Sequence, residues 1–162
     1  MANLTADMVL ETLLGRYSGT NKVDAWGEAT LFYNPGRVLA RGTYFATVKE
    51  KNGDNDRASD LDRPGVFRLN IGADRAHFLE LFGPPPARPS KGQHIEGKWD
   101  FTALDKLTPH PIYGWMSWVS VLNPGAKTFE KCLPLLDSAH AKAKATFDKR
   151  VRKLGPVSVL TV

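Results

Sequence analysis

The chain has 162 residues, with 22 lysines and arginines against 17 acidic residues and a net charge of +5. That length predicts one domain with a core of its own, and a single cysteine, Cys132, excludes an internal disulfide and points to a reducing compartment. The opening MANLTADMVLETLL has no basic n-region or long apolar run, and no stretch approaches the ~20 apolar residues of a membrane span, so a cytoplasmic protein without a membrane partner is expected.

Thr5 caps a first predicted helix, in which Val9, Leu10, Leu13, Leu14 and Tyr17 recur at helical spacing. SGTNK reads as a loop, 28–33 as a strand and Asn34-Pro35-Gly36 as a turn. Residues 37–41 and 43–49 read as two further strands. Residues 52–63 are polar, acidic and without an apolar period, so a solvated loop is expected there. A strand over 66–71 leads through Gly72 into a short helix over 73–82, with Asp74 placed to cap it. Residues 83–99, GPPPARPSKGQHIEGKW, carry four prolines and three glycines and read as an irregular insert.

A helical turn is expected over 101–107. Beyond it, alternation from Trp115 to Leu122 predicts a strand buried on both faces. A last helix starts near Ala126, with Pro134 expected to kink or restart it. Its apolar stripe is Cys132, Leu136, Ala139, Ala143, Phe147, Val151 and Leu154. Gly155-Pro156 is expected to stop that helix, leaving a tail, VSVLTV, of β character. The order predicts an α+β fold: an antiparallel sheet of about five to six strands with N- and C-terminal helices packed on it. The domain is placed at 1–155 and the tail at 156–162.

The charge is localised. Residues 142–153 hold six of the 22 basic residues and one of the 17 acidic ones, which leaves sixteen of each sign elsewhere. Lys142, Lys149 and Lys153 share one flank of the last helix, which is either a solvated face or a nucleic-acid contact.

AWGEATLFY, YFATV, VFRLNIG, LTPHPIYGWMSWVSVLNP and PLLDSAHAKAKATF resemble an uncharacterised bacterial family, a domain of unknown function, over most of 10–150. More distantly, the layout is similar to the MmcQ/YjbR family. There an opening helix precedes a PWGE-like motif, here Ala25-Trp26-Gly27-Glu28, then a meander of strands, a strand with His and Trp, and a final helix. That resemblance implies a YjbR-like double-wing fold, for which DNA binding has been suggested. The insert at 83–99 and the acidic loop at 54–62 depart from it.

Among side chains that carry chemistry, His110 leads. It lies between Pro109 and Pro111 ahead of the tryptophan strand, as a general acid or base or as a structural hydrogen-bonding ring. Glu28, after Trp26-Gly27, is its candidate catalytic partner or a surface carboxylate. Arg68 and Asn70 alternate within VFRLNIG and point to one side. Arg68 either forks onto an anion or pairs with an acid such as Asp62 or Glu28. Trp115 and Trp118 face opposite sides, so at most one lines the cleft, and Tyr113 accompanies Trp115. The four aspartates at 54, 56, 60 and 62 miss the calcium-loop order, and there is no HExxH or CxxC. No metal or cofactor is expected.

Three functions remain. The first is a binding module, monomer or homodimer, whose cleft of Trp26, Arg68, Asn70, Tyr113 and Trp115 takes a small polar or anionic ligand. The second is a DNA-binding protein using Lys142, Lys149 and Lys153. The third is a small cofactor-free enzyme with His110 as acid or base and Glu28 beside it.

Overall fold

A computed structural model describes residues 4–160 of the protein, with side chains described to residue 154. The fold is α+β: an open six-stranded antiparallel sheet with a helix at each end of the chain and a short one between. Helix α1 is Ala6–Arg16, and Thr5 Oγ1 accepts from Met8 N at 3.1 Å to cap it. Strands β1 (Thr20–Ala25), β2 (Glu28–Tyr33) and β3 (Thr43–Lys49) form a meander. Strand β4 is Arg68–Ile71, helix α2 is Arg75–Phe82, and β5 (Leu107–Pro109) and β6 (Val119–Leu122) complete the sheet. Its order is β1-β2-β3-β4-β6-β5, so β4 is central. Helix α3, Ala126–Leu160, closes the chain. No helix among the described residues is long and apolar enough to cross a membrane.

The two faces of the sheet differ. One packs Leu31, Ala46, Val48, Leu69, Ile71, Val119 and Val121 against Val9, Leu10 and Leu13 of α1 and against Phe129, Cys132, Leu136, Ala139 and Ala143 of α3. This is the apolar core, and a fully buried aliphatic side chain there contributes about 1.5–3 kcal/mol. Cys132 is fully buried in it, and burial pushes its thiol up to about 12. The opposite face carries Thr30, Thr47, Lys49, Arg68, Asn70, Thr108 and Ser120, all buried. These meet as cross-strand neighbours: Thr30 with Thr47, Thr47 with Asn70, Lys49 with Arg68, Asn70 with Ser120 and Ser120 with Thr108. The long loops 50–67 and 83–106 fold over this face, burying Ser59, Leu61, Ile95 and Phe101.

A register shift between Leu31 and Phe32 gives β3 one extra residue, with Ala46 opposite Leu31 and Tyr44 opposite Phe32. The bulge keeps Phe45 in the core while Tyr44 joins Phe32 on the other face.

Several expectations are corrected. The segment read as a loop after α1 begins strand β1, an edge strand whose polar, exposed residues hide its period. Residues 37–41 form no strand, because Pro35–Arg37 makes a 3-10 turn with Gly36 and Arg37 both at positive φ. The tryptophan strand is only its last four residues, Val119–Leu122. Gly114–Met116 is a 3-10 turn, and Ser117, at φ 73°, ends the alternation. The turn expected over 101–107 gives way to β5 from Leu107. Helix α3 runs unbroken through Pro134, and on through Gly155-Pro156 to Leu160, so the tail read as β is helical that far. Its last two residues lie outside the described ones.

Candidate functional site

The hairpin joining β1 to β2 has a two-residue loop, Trp26-Gly27, with φ of 55° and 76°. Two left-handed residues are the requirement of a type I′ turn, a position that favours Asn or Gly. A bulky side chain there is strained, by about 1–2 kcal/mol. The Trp26 side chain is also 58% exposed. It leans on Phe32 and Tyr44, with the Arg41 guanidinium 5.4 Å from its ring centre. Tyr44 in turn meets Trp118 at 5.7 Å. Gly72 makes room for that indole: a Cβ there would sit 2.9 Å from it. Trp26, Tyr44 and Trp118, with Tyr113 and Met116, wall a cavity of about 220 Å³ whose polar lining is Glu28, Thr47 and His110.

The His110 ring is buried, and its two nitrogens meet different surroundings. Nδ1 accepts from the backbone amides of Ile112 at 3.0 Å and Tyr113 at 3.1 Å. A nitrogen that accepts two amides carries no proton, so the neutral ring holds its hydrogen on Nε2. Burial drives the His110 pKa well below its ordinary value, and the charges of Arg68 and Lys49 add to this against the opposing pull of Asp56. The ring is therefore a neutral Nε2–H donor at neutral pH, with no spare lone pair to take a proton. Its nearest polar neighbour on that side is Arg68 Nη2 at 3.4 Å, which is also a donor.

Arg68 is fully buried beneath the cleft. Nε donates to Asn70 Oδ1 at 2.8 Å, and Nη1 donates to Asp56 Oδ1 and Ser59 Oγ, both at 3.0 Å. Nη2 donates to Asp56 Oδ2. Four of the five guanidinium hydrogens thus have acceptors, and the fifth lies toward His110. Burial alone would raise the Asp56 carboxyl, but the hydrogen bonds and charge of Arg68 outweigh it and hold the group below the usual carboxylate range. Asn70 is saturated: Oδ1 also accepts from Ser120 Oγ at 2.7 Å, while Nδ2 donates to Thr47 Oγ1 at 2.9 Å and toward Glu28 Oε1 at 3.4 Å. This network fixes the floor under Glu28, Thr47 and His110.

Of the residues singled out in the sequence, Trp26, Glu28, His110 and Tyr113 meet in one cavity. Arg68 and Asn70 do share a face, but they lie under the cavity instead of lining it. The partner of Arg68 is Asp56, neither Asp62 nor Glu28. Asp62 instead accepts from Asn52, so the acidic loop is anchored where a solvated one was expected. Trp115 is elsewhere: its ring stacks under Arg88 at 4.9 Å, and Trp118 takes the place in the wall. Asp74 caps α2, accepting from His77 N at 2.7 Å, and Ser138 Oγ also bonds it; these contacts hold it at about 2. Lys142, Lys149 and Lys153 are exposed along α3, and none of them lines this cavity.

Sequence reasoning missed Tyr44, Thr47, Met116, Asp56 and Ser59. The alternation of YFATVK could have flagged Thr47 beside Asn70. Nothing local marks Asp56 among four aspartates. Among the described residues, no group of three or more His, Cys, Asp or Glu could hold a metal ion.

A family model described as a family of unknown function, DUF6194, matches residues 4–152. The chain belongs to this family. No curated protein and no solved structure matches it. The motif-order likeness to MmcQ/YjbR has no counterpart among these comparisons.

Proposed function

We propose that this DUF6194 protein binds a small molecule in the cleft between the β1–β2 hairpin tip and the 113–118 turn. The observation that carries the reading is the cavity itself, walled by Trp26, Tyr44, Tyr113 and Trp118 and lined at its polar side by Glu28, Thr47 and His110. Exposed aromatic walls around a few polar groups are the composition of ligand sites. Glu28 supplies an acceptor and the Thr47 hydroxyl, whose oxygen already accepts from Asn70, a donor, so the fitting ligand is small and flat, with a hydrogen-bond donor and an acceptor on its edge.

The test is ligand-observed NMR with a panel of small heterocycles and amides. Hits should shift the His110 and Thr47 resonances and should be lost in Tyr44→Ala and Tyr113→Ala. If no compound perturbs the cleft resonances, the reading fails.

The basic face of α3 supports a second reading, nucleic-acid binding. All six basic side chains of 142–153 are exposed. Duplex binding that falls steeply with salt and disappears in the Lys142/Lys149/Lys153→Ala variant would favour it over the cleft. Absence of binding at low salt retires it.

A further inference from the structure

The aromatic cleft does not end at Tyr44, Met116 and Trp118. The same three side chains line a second, wider groove of about 510 Å³ on their far side. Its remaining lining comes from the strand ends at Gly42–Phe45 and Gly72, and from α3. The α3 residues are Ala139, Lys142, Ala143, Thr146 and Arg150. Lys142, Thr146 and Arg150 stand at i, i+4 and i+8, which puts them in one row along the helix. Ala139 and Ala143 are small, which leaves the space open.

Both cationic heads are tethered there. Lys142 Nζ donates to Ala73 O at 3.3 Å, and Arg150 Nη1 donates to Gly42 O at 2.9 Å. The two carbonyls lie at adjacent ends of β4 and β3, so the sheet holds both charges over the groove. Neither head has a carboxylate within ion-pair distance among the described residues. Within the cleft itself the charged group is Glu28, so the two compartments offer opposite chemistry across one aromatic ridge.

We infer that the ligand has two parts: a flat heterocycle held in the cleft and a phosphate monoester carried over the ridge onto Lys142, Thr146 and Arg150. This inference rests on the cleft reading. Two cations match the double charge of a phosphate monoester better than the single charge of a carboxylate. Arg150 can fork onto two of its oxygens, and Lys142 adds a point charge. Glu28 accepts from an N–H on the ring edge, and the Thr47 hydroxyl donates to a ring nitrogen or carbonyl. A nucleoside monophosphate has this layout.

The experiment is calorimetry at low salt with the four ribonucleosides, their 5′-monophosphates and inorganic phosphate. At least one monophosphate should bind ten-fold or more tighter than its own nucleoside, with a gain that shrinks as salt rises. Lys142→Gln with Arg150→Gln should erase that gain and leave the nucleoside affinity unchanged, and Thr146→Val should reduce it less. A thermal melt checks that these exposed variants stay folded. Equal binding of monophosphate and nucleoside, or a gain that survives the double variant, overturns the phosphate site while leaving the cleft standing. If neither nucleosides nor their phosphates bind, the two-part ligand is wrong, and the heterocycle panel then decides the cleft separately.

Discussion

The two faces of the central sheet use the same strands for opposite purposes. On β4, Leu69 and Ile71 face the helices, while Arg68 and Asn70 face the loops, and all four are fully buried. The apolar face is held by non-directional burial, which tolerates swaps of similar volume. The polar face is held by hydrogen bonds that must all close together. Burying Arg68 gains stability only while Asp56, Ser59 and Asn70 stay in place. One face therefore supplies bulk stability, and the other fixes atoms in space beneath a cavity.

The sharpest way to break that comparison is Arg68→Ala. It strands the Asp56 carboxylate and should cost about 3–5 kcal/mol, as much as Leu69→Ala on the opposite face at about 2–5 kcal/mol. Urea unfolding measures both. Combining Arg68→Met with Asp56→Leu should recover a good part of the loss, because it removes both charges together. An Arg68→Ala variant as stable as the parent would make the polar face ornamental. The residue is thus a poor probe of ligand affinity, since its loss disturbs the fold first.

A second test uses pH. His110 is held neutral in the fold, with a pKa well below 6.5. As pH falls below about 6.5 the unfolded chain takes up a proton that the folded ring refuses, so stability falls with acidification. One such group gives a slope of at most about 1.4 kcal/mol per pH unit. His140, also lowered by burial, acts in the same direction. Asp56 joins only below about 3.8, where its own depressed pKa begins to tell. The melting temperature should drop between pH 7 and 5, and His110→Asn should flatten that drop. An unchanged slope in the variant means that the folded ring titrates normally.

The smallest expected change in stability is at the hairpin tip. Trp26→Asn relieves a left-handed tryptophan, a gain of about 1–2 kcal/mol, and loses ring contacts worth about 0.5–1.5 kcal/mol. Stability should therefore move by less than about 1 kcal/mol, while the affinity of any cleft ligand falls. A large destabilisation would recast Trp26 as a structural residue.

How much of this was legible follows the same division. Helical spacing located α1 and the buried stripe of α3 as far as Phe147, because an apolar face is a local signal. The alternation of β4 placed Arg68 and Asn70 correctly on one side. Polar edge strands such as β1 carry no such period, and β5 is only three residues long. The Trp115–Leu122 alternation misled because one left-handed residue, Ser117, resets the direction of every side chain before it. Trp26, Glu28 and His110 could each be named from local context. Their meeting, and the reach of Asp56 twelve residues ahead to Arg68, are facts of tertiary pairing that no window of sequence contains.

Cys132 gives this fold a built-in stopwatch. It is the sole thiol in the chain, sealed between α3 and the sheet, with its ionisation pushed to about 12. A thiol in that state is inert until the helix lifts. At reagent concentrations high enough for capture to outpace reclosing, the rate at which an added disulfide reagent captures it is the rate at which α3 detaches, read in the native chain without a label. If a ligand clasps α3 to the sheet through Lys142 and Arg150, that clock should slow as the site fills.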